Sequence, residues 1–509
     1  MTGKLSIDSM TAFCKSKGFV DANSEIYGGL AGFWDFGVNG VELKNNLKNL
    51  YWKDFVHKRD DVIGIDGTII THPTVWEASG HVGGFGDALL ECKKCNIRLR
   101  ADHFIEDELK ITVDGMSSKE IDEKIKEHNL KCPECGGEIS EARHFSLMFS
   151  TQVGPVETTS SLAYLRPETA QVIFANFKKT SADARMKLPF GIMQTGKAFR
   201  NEIAPRNFLF RCREFEQMEI EYFVDPTKVK HCPHWDEVKD RKILVLSAKA
   251  QENDGESKEM TMKEMFDEGI VKSQWHCYWL IQINDWFVRY GVKQKNLRIR
   301  EHVKDELSHY AAATMDIEYH FPFGWKELHG MADRTTFDLD QHTKFSGKNQ
   351  GIFDEESKKA IIPHVIEPSQ GVERAFLVFM FDAYNDDKER GNIVLKLHPK
   401  LAPYKVAVLP LTNKLDEKAR EVYSFVNDEH NSFYDKSGSV GRRYARQDEI
   451  GTPFCVTVDF ETLEDHSVTI RDRDSTKQIR VKVADLKDVI RKLVNGEIEF
   501  EKAGELIVK

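Results

Sequence analysis

The stretch Phe199–Phe223, FRNEIAPRNFLFRCREFEQMEIEYF, constrains the fold more than any other part of the chain. It reads as two strands joined by a loop that contains Pro205. Strand side chains alternate between faces. Arg200 and Glu202 therefore share one face of the first strand. Arg213, Phe215, Gln217, Glu219 and Glu221 share one face of the second, while Cys212, Met218 and Ile220 fall on the other. If the two charged faces coincide, one surface gathers arginines, an aromatic ring, an amide and carboxylates. A merely solvated face would not set Phe215 among aligned charges and then end in the apolar pair Tyr222-Phe223. Arginine can neutralise a phosphoryl group, an aromatic ring can stack on a purine, and carboxylates can hold an ammonium.

The surrounding pattern is that of an α+β protein. A helix is expected over Val41–Val56, with Leu43, Leu47 and Leu50 at helical spacing, followed by a strand over Val62–Ile70 that ends near Pro73. Period-two strands recur, with helical segments around Ile105–His128 and Trp275–Tyr290. This points to an antiparallel core interrupted by insertions. His398-Pro399-Lys400-Leu401-Ala402-Pro403 marks a seam. Beyond it, strands at Tyr404–Leu411 and Pro453–Val458 alternate with helices at Asp416–Asn427 and Val483–Val494, as in a compact α/β domain. The expected division is 1–85, an insertion at 86–145, core at 146–225, a helical insertion at 226–300, core at 301–398, and a C-terminal domain at 399–509.

Composition excludes some classes. No apolar run approaches the roughly 20 residues of a membrane span, and Met1-Thr2-Gly3-Lys4-Leu5 has no apolar signal core. A cytoplasmic protein is expected. Of nine cysteines, four form Cys92-x-x-Cys95 and Cys132-x-x-Cys135. Two such turns suit one tetrahedral, structural Zn²⁺; the alternative is free thiols in a knuckle that has lost its metal. The net charge of −10 argues against a wholly basic nucleic-acid-binding surface. A local patch remains at Gly441-Arg442-Arg443-Tyr444-Ala445-Arg446, where arginines beside an aromatic suit phosphates and unstacked bases.

The FRNE…RCREF pattern resembles motif 2 of the class II aminoacyl-tRNA synthetases, and the longer string resembles the homodimeric, bacterial-type glycyl-tRNA synthetases. The resemblance implies an antiparallel-sheet catalytic core and a C-terminal anticodon-binding domain. It implies glycine, ATP and tRNA(Gly) as substrates, with Mg²⁺ beside the structural Zn²⁺ expected from the cysteine turns. By the same resemblance Arg200 takes the α-phosphate, Glu202 holds the adenine and Phe215 stacks on it. Asn201, Phe210, Arg211, Cys212, Arg213 and Glu214 complete the ATP site. Glu219 meets the glycine ammonium.

Other segments carry the resemblance further. Glu367-Pro368-Ser369-Gln370-Gly371-Val372-Glu373-Arg374 resembles motif 3, implying that Arg374 clamps the outer phosphates while Glu367, Pro368 and Ser369 face glycine. Tyr164–Gln171 resembles a further signature and offers Glu168 to the ammonium; the family usually continues with Gly where this chain has Val172. In Glu327–Arg334, Glu327 and Leu328 match positions that touch ATP, Glu327 is a candidate Mg²⁺ ligand, and Arg334 matches a partner of the glycine carboxylate. The helix at 41–56 resembles motif 1, the dimer element. Tyr27–Gly32 is expected to turn beside the site. Residues 399–509 resemble the anticodon-binding domain, with Arg442, Arg443 and Arg446 on the tRNA. Together Arg200, Glu202 and Arg374 would carry catalysis. The rivals are a synthetase for another small amino acid and a synthetase-like binding protein that has lost catalysis.

Overall fold

The computed structural model describes residues 5–109, 116–155, 161–253, 255–307, 311–354 and 358–507. Its centre is a nine-stranded sheet. The strands in chain order are β1 (Val62–Ile65), β2 (Phe190–Phe199), β3 (Glu214–Val224), β4 (Lys242–Leu246), β5 (Lys258–Thr261), β6 (Leu297–Glu301), β7 (Ala313–Phe321), β8 (Gly324–Thr335) and β9 (His364–Gly371). Across the sheet they run β5-β4-β6-β7-β8-β9-β3-β2-β1. Only β1 with β2 and β4 with β6 are parallel; the other pairs are antiparallel.

Helices α1 (Val38–Trp52), α2 (Ala170–Asp183), α3 (Gln274–Arg289), α4 (Phe337–Ser346) and α5 (Val372–Ala383) cover the two faces. The alternation of β3 explains how. Its even residues Met218, Ile220, Tyr222 and Val224 enter the large core built with α1, α3 and α5. On the other face Phe223 joins Phe190 and Ile192 of β2 under Phe174 and Phe177 of α2 and Leu339 of α4. That second face is apolar only at this end. Along β3 it passes through Glu221, Glu219 and Gln217 to Phe215, and α2 and α4 leave the polar end open for a site.

Several expectations shift. Residues 226–300 do contain the expected helix, but β4, β5 and most of β6 extend the central sheet, so this stretch is built into the core rather than appended to it. Its charged residues hid strands of only four or five residues, of which β5 is the edge of the sheet. The strand expected over 62–70 is two strands, Val62–Ile65 in the central sheet and Ile70–Thr71 in a small one, and Pro73 opens a helix instead of closing a strand. The helix expected around 105–128 is two, Ala101–Leu109 and Ser118–Glu127, with 110–115 outside the described residues.

The segment with the paired cysteines has its own three-stranded sheet, Gly86–Glu91 flanked by Arg98–Arg100 and Arg143–Ser146, and its own core of Leu90, Phe104, Ile105, Ile121 and Ile139. Beyond the seam lie β10 (Val406–Pro410), β11 (Ser432–Tyr434), β12 (Phe454–Val458), β13 (Ser467–Asp472), β14 (Gln478–Lys482) and β15 (Glu505–Leu506), in the order β11-β10-β12-β13-β14-β15. With α6 (Asp416–Asn427) and α8 (Leu486–Asn495) they enclose a separate apolar core, and α7 (Val440–Ile450) covers the other face, with Tyr444 against Ala407, Leu409 and Cys455. Among the described residues no helix is long and apolar enough to cross a membrane.

Candidate active site

The hairpin β2–β3 exists as read, with Gly196 opposite Gln217 and Gln194 opposite Glu219. Arg200 and Glu202, however, lie just past the end of β2, in the connecting loop. Other contacts hold them there. Arg200 Nε donates to Pro167 O at 3.0 Å, and its guanidinium stands 5.5 Å from the Phe215 ring and 5.4 Å from the Phe85 ring. Arg213 supports the loop from below, donating to Glu202 O at 2.7 and 2.9 Å and to Ala31 O at 2.9 Å. The Tyr27–Gly32 turn does lie beside the site. Gly32 has φ +80°, and a Cβ there would sit 2.7 Å from Pro205 Cβ, so this approach of turn to loop needs glycine.

Arg200, Glu202, Phe210, Arg211, Cys212, Phe215, Glu327, Ser369 and Arg374 line one cleft of about 140 Å³. Opposite Arg200, Arg374 pairs with Glu327 at 2.8 Å, donates to Phe210 O at 3.1 Å and lies 4.5 Å from the Phe210 ring. Glu327 stands at the mouth of the cleft with its side chain 44% exposed; partial desolvation opposes its ionisation, but Arg374, His302 and Arg200 outweigh it and hold the carboxyl at about 2. Burial pushes the Cys212 thiol up, so it is a neutral wall. Four of the expected ATP-site residues stand off the wall. The Asn201 peptide N–H donates to Leu147 O at 2.8 Å, Arg213 is a brace, Glu214 pairs with Lys197 at 2.8 Å, and Leu328 is buried in the large core.

Deeper along the same face lies a closed polar nest. Glu219 Oε1 accepts from the Ser369 hydroxyl at 2.7 Å, and Oε2 accepts from the Thr169 peptide N–H at 3.0 Å and from the Thr169 hydroxyl. Gln217 receives the same Thr169 N–H at 3.2 Å and donates to Ser369 Oγ at 3.4 Å. Glu168 accepts from Gln171 at 3.1 Å and lies 3.4 Å from His81 Nε2 and 3.8 Å from Arg334. Burial resists its charge, yet His81, Arg334 and Arg200 hold the Glu168 carboxyl far below the ordinary range. Arg334 is buried and engaged by protein carboxylates, Asp338 at 2.7 and 2.9 Å and Glu367 at 2.8 Å. It braces Glu367 instead of opening onto the cleft. Strand alternation puts Glu367 and Ser369 on the nest side and Pro368 on the opposite face.

Sequence reasoning missed His81, Thr169 and Phe85 as site residues. Thr169 lay inside a quoted motif, but its role depends on the adjacent position of β3. His81 and Phe85 approach from a short helix and the turn after it, with no spacing signal. It also missed Lys44 of α1, which is buried and bonds Glu373 at 2.8 Å and Glu216 at 2.7 Å; Glu373 in turn accepts the Glu216 peptide N–H at 2.8 Å.

Around one zinc, four thiolates at about 2.3 Å stand about 3.8 Å apart. Cys92 and Cys135 sulfurs are 3.5 Å apart, those of Cys95 and Cys132 are 3.6 Å apart, and all four fall within 4.8 Å of one another. This donor set fits the metal. In the C-terminal domain the three arginines separate. Arg442 is exposed at the start of α7, and Arg446 is half-exposed and pairs with Asp435. Arg443 is buried, donating to Pro410 O, to Asp435 O at 3.3 Å and to Leu411 O at 3.4 Å. Arg443 is therefore a structural clamp and does not face a tRNA, because its place on the helix turns it inward.

Comparison with known proteins agrees with this geometry. Residues 156–241 match the tRNA synthetase class II core domain (G, H, P, S and T), and residues 405–493 match an anticodon binding domain. A prolyl-tRNA synthetase from Cryptosporidium parvum, solved with halofuginone and AMPPNP, shares the fold, with a TM-score of 0.56 at 13% identity over 96% of this chain and 75% of that one. Proteins described as glycine--tRNA ligase are far more similar. That of Caldanaerobacter subterraneus subsp. tengcongensis is 46% identical over 98% of this chain and 100% of its own. Those of Clostridium acetobutylicum and Geobacillus kaustophilus are each 46% identical, over 97% and 95% of this chain and 100% and 98% of their own. With relatives this similar along nearly their whole length, the chain belongs to the glycine--tRNA ligase family of class II aminoacyl-tRNA synthetases.

Proposed function

We propose that the chain activates glycine with ATP and passes the glycyl group to the 3′ end of tRNA(Gly). One observation supports this reading: the buried nest around Glu219, with Thr169 and Glu168, meets the cleft of Arg200, Phe215 and Arg374 at Ser369 and Gln217, which belong to both. The nest offers acceptors to an ammonium group, and the cleft offers guanidinium groups to phosphates and a ring to a purine.

A glycine carboxylate oxygen attacks the α-phosphorus. The new P–O bond forms as the bond to the β-phosphate breaks, and pyrophosphate leaves. No side-chain nucleophile is required. Arg200 at one end of the cleft and Arg374 at the other stabilise the charge, and catalysis is mainly positioning. The terminal ribose hydroxyl of the tRNA then attacks the glycyl carbonyl and AMP departs. Glu327 would hold Mg²⁺, which supplies charge neutralisation between the outer phosphates. Arg211, 3.7 Å from Glu202, frames the nucleotide from the loop side.

Glycine is the smallest amino acid, so a nest that leaves no room for a β-carbon can select it without editing. We assign the selection to Glu168, Glu219, Glu367 and Ser369.

Further assignments belong to the same reading. Cys92, Cys95, Cys132 and Cys135 hold a structural Zn²⁺ that closes the segment 86–145. The C-terminal domain carries the anticodon contact, with Arg442 and Arg446 as the outward-facing arginines. α1 and its flank, where Val38 and Val41 are exposed, form the homodimer contact. The compartment is the cytoplasm, consistent with nine unpaired cysteines. Glycine-dependent ATP–pyrophosphate exchange, with alanine and serine as controls and no tRNA, tests the central claim. Exchange with glycine alone is expected; folded protein that exchanges with no amino acid would replace this reading with a binding protein that has lost catalysis.

A further inference from the structure

One residue beside the nest has no role in the activation chemistry. Glu221 is fully buried on β3, two residues beyond Glu219 on the same face, and neither of its carboxylate oxygens has a hydrogen-bond partner. Glu219 lies opposite Ser369 and Tyr222 opposite Ile366, which sets Glu221 level with Glu367 on the neighbouring strand. One carboxylate oxygen from each of Glu219, Glu221 and Glu367 lies within 4.8 Å of the other two.

The charged groups facing Glu221 come from four elements. Glu219 stands on its own strand, Glu367 on β9, Arg334 on β8 and Asp338 on α4. Its partner on β2 is Ile192, and the overlying α2 contributes the ring of Phe174 to the same apolar end. Arg334 is the one cation in this set, and it already binds Asp338 and Glu367. An ionised carboxylate with no donor in such surroundings is costly, and the group takes up a proton instead. Burial first, and then Glu367 and Glu219 against the pull of Arg334, push the Glu221 carboxyl well above its ordinary range. Burial does the same to Glu367, assisted by Glu219 and Glu168 and opposed by Arg334. Two like acids at this separation titrate as a pair.

We propose that Glu221 is a proton-bearing positioning residue: the Glu221–Glu367 pair holds one proton in the free protein, carried on Glu221, and the substrate ammonium, arriving beside Glu219, expels that proton to solvent. The Glu221 O–H bond breaks, the proton leaves by way of Glu367 and is taken up by buffer. The ammonium replaces its positive charge among the carboxylates. The free pocket thus avoids a row of unpaired anions, and the loaded pocket gains an ionised pair where a cation has come to rest. This rests on the reading of the nest as an ammonium site.

The test is calorimetry at pH 7, in two buffers of different ionisation heat, with the non-hydrolysable sulfamoyl analogue of glycyl-adenylate. Wild type should release about one proton on binding. Glu221→Gln, which keeps the shape and removes the acid, should bind and release none, and an analogue with hydroxyl in place of ammonium should release none from wild type. Infrared spectroscopy of unliganded wild type should show a neutral carboxyl band that disappears on binding and is absent from Glu221→Gln. Equal proton release from wild type and Glu221→Gln, or no neutral carboxyl in the free protein, overturns the proposal. Glycine-dependent pyrophosphate exchange without proton release defeats this inference alone. A neutral carboxyl in a protein that neither exchanges with glycine nor binds the analogue defeats the ammonium reading and leaves the shared proton standing.

Discussion

Ser369 Oγ donates to Glu219 Oε1 at 2.7 Å, between residues directly opposite each other on β9 and β3. This bond joins the motif 2 strand to the motif 3 strand within the nest proposed to hold glycine. A hydrogen bond to a charged group contributes about 1.5–3 kcal/mol. Ser369→Ala should therefore raise the glycine KM about tenfold or more in pyrophosphate exchange, with the ATP KM little changed. Glu219→Ala should cost more, since it also removes the acceptor for Thr169. An unchanged glycine KM in Glu219→Ala would remove Glu219 from the site.

Arg374 and Glu327 give a pH prediction. The Glu327 carboxyl, held at about 2, lies below its unfolded value of about 4.3. A depressed acid contributes stability that is present above the unfolded value and lost as pH falls through the folded one. Wild type should therefore keep Glu327 ionised throughout the mildly acidic range. Arg374→Ala removes the ion-pair partner that does most to lower the Glu327 carboxyl. The acid limb of kcat/KM for ATP should move up by at least about one pH unit, and kcat should fall by about 10²–10³. A pH–rate profile of exchange for both proteins checks the sign and the size.

Arg442 and Arg443 are sequence neighbours with opposite fates. Arg443→Ala leaves three backbone carbonyls without their donor, which should cost about 3 kcal/mol of stability and lower the melting temperature of the C-terminal domain. Arg442→Ala should leave melting unchanged and raise the KM for tRNA, with pyrophosphate exchange unaffected. Thermal unfolding together with aminoacylation kinetics separates the two.

The cysteine segment touches the nucleotide loop. Asn201 N–H bonds Leu147 O at 2.8 Å, and Arg206 lies 3.1 Å from His103 of the helix Ala101–Leu109. Metal analysis should find about one zinc per chain. Its removal by a chelator should speed amide exchange across 86–146 and raise the ATP KM, while the central sheet stays protected. Unaltered exchange in 86–146 after metal loss would mean that its small apolar core suffices.

Much of this was legible where one local rule governed the outcome. The alternation in Phe215–Phe223 predicted both faces of β3, and the amphipathic period predicted Asp416–Asn427 to the residue. The class of site followed from charged side chains set on a strand that also had to bury an apolar face. What stayed hidden depended on contacts between distant segments. Arg200 and Arg213 alternate like strand residues, yet one flanks the cleft and the other braces the loop, because the Tyr27–Gly32 turn arrives from far away in the chain to claim Arg213. Arg334 looked available for a substrate carboxylate, but Asp338, four residues on where the chain turns from β8 into α4, occupies it. Strands β4 and β5 were hidden because both are short: edge strand β5 carries an exposed Lys258-Glu259 pair, and β4 offers only five residues behind Lys242, so the charged surroundings read as an insertion.

The buried Lys44 has a mechanical consequence. It ties α1 to Glu216 of β3 and to Glu373, whose neighbour in the chain is Arg374. With its ammonium locked between two carboxylates, α1 cannot slide or tilt without dragging both strand and arginine. The helix is thus a rigid lever with its handle outside, at the exposed Val38 and Val41, and its tip at the nucleotide cleft. A load on that handle would reach β3 and the base of α5 through the two ion pairs that Lys44 makes.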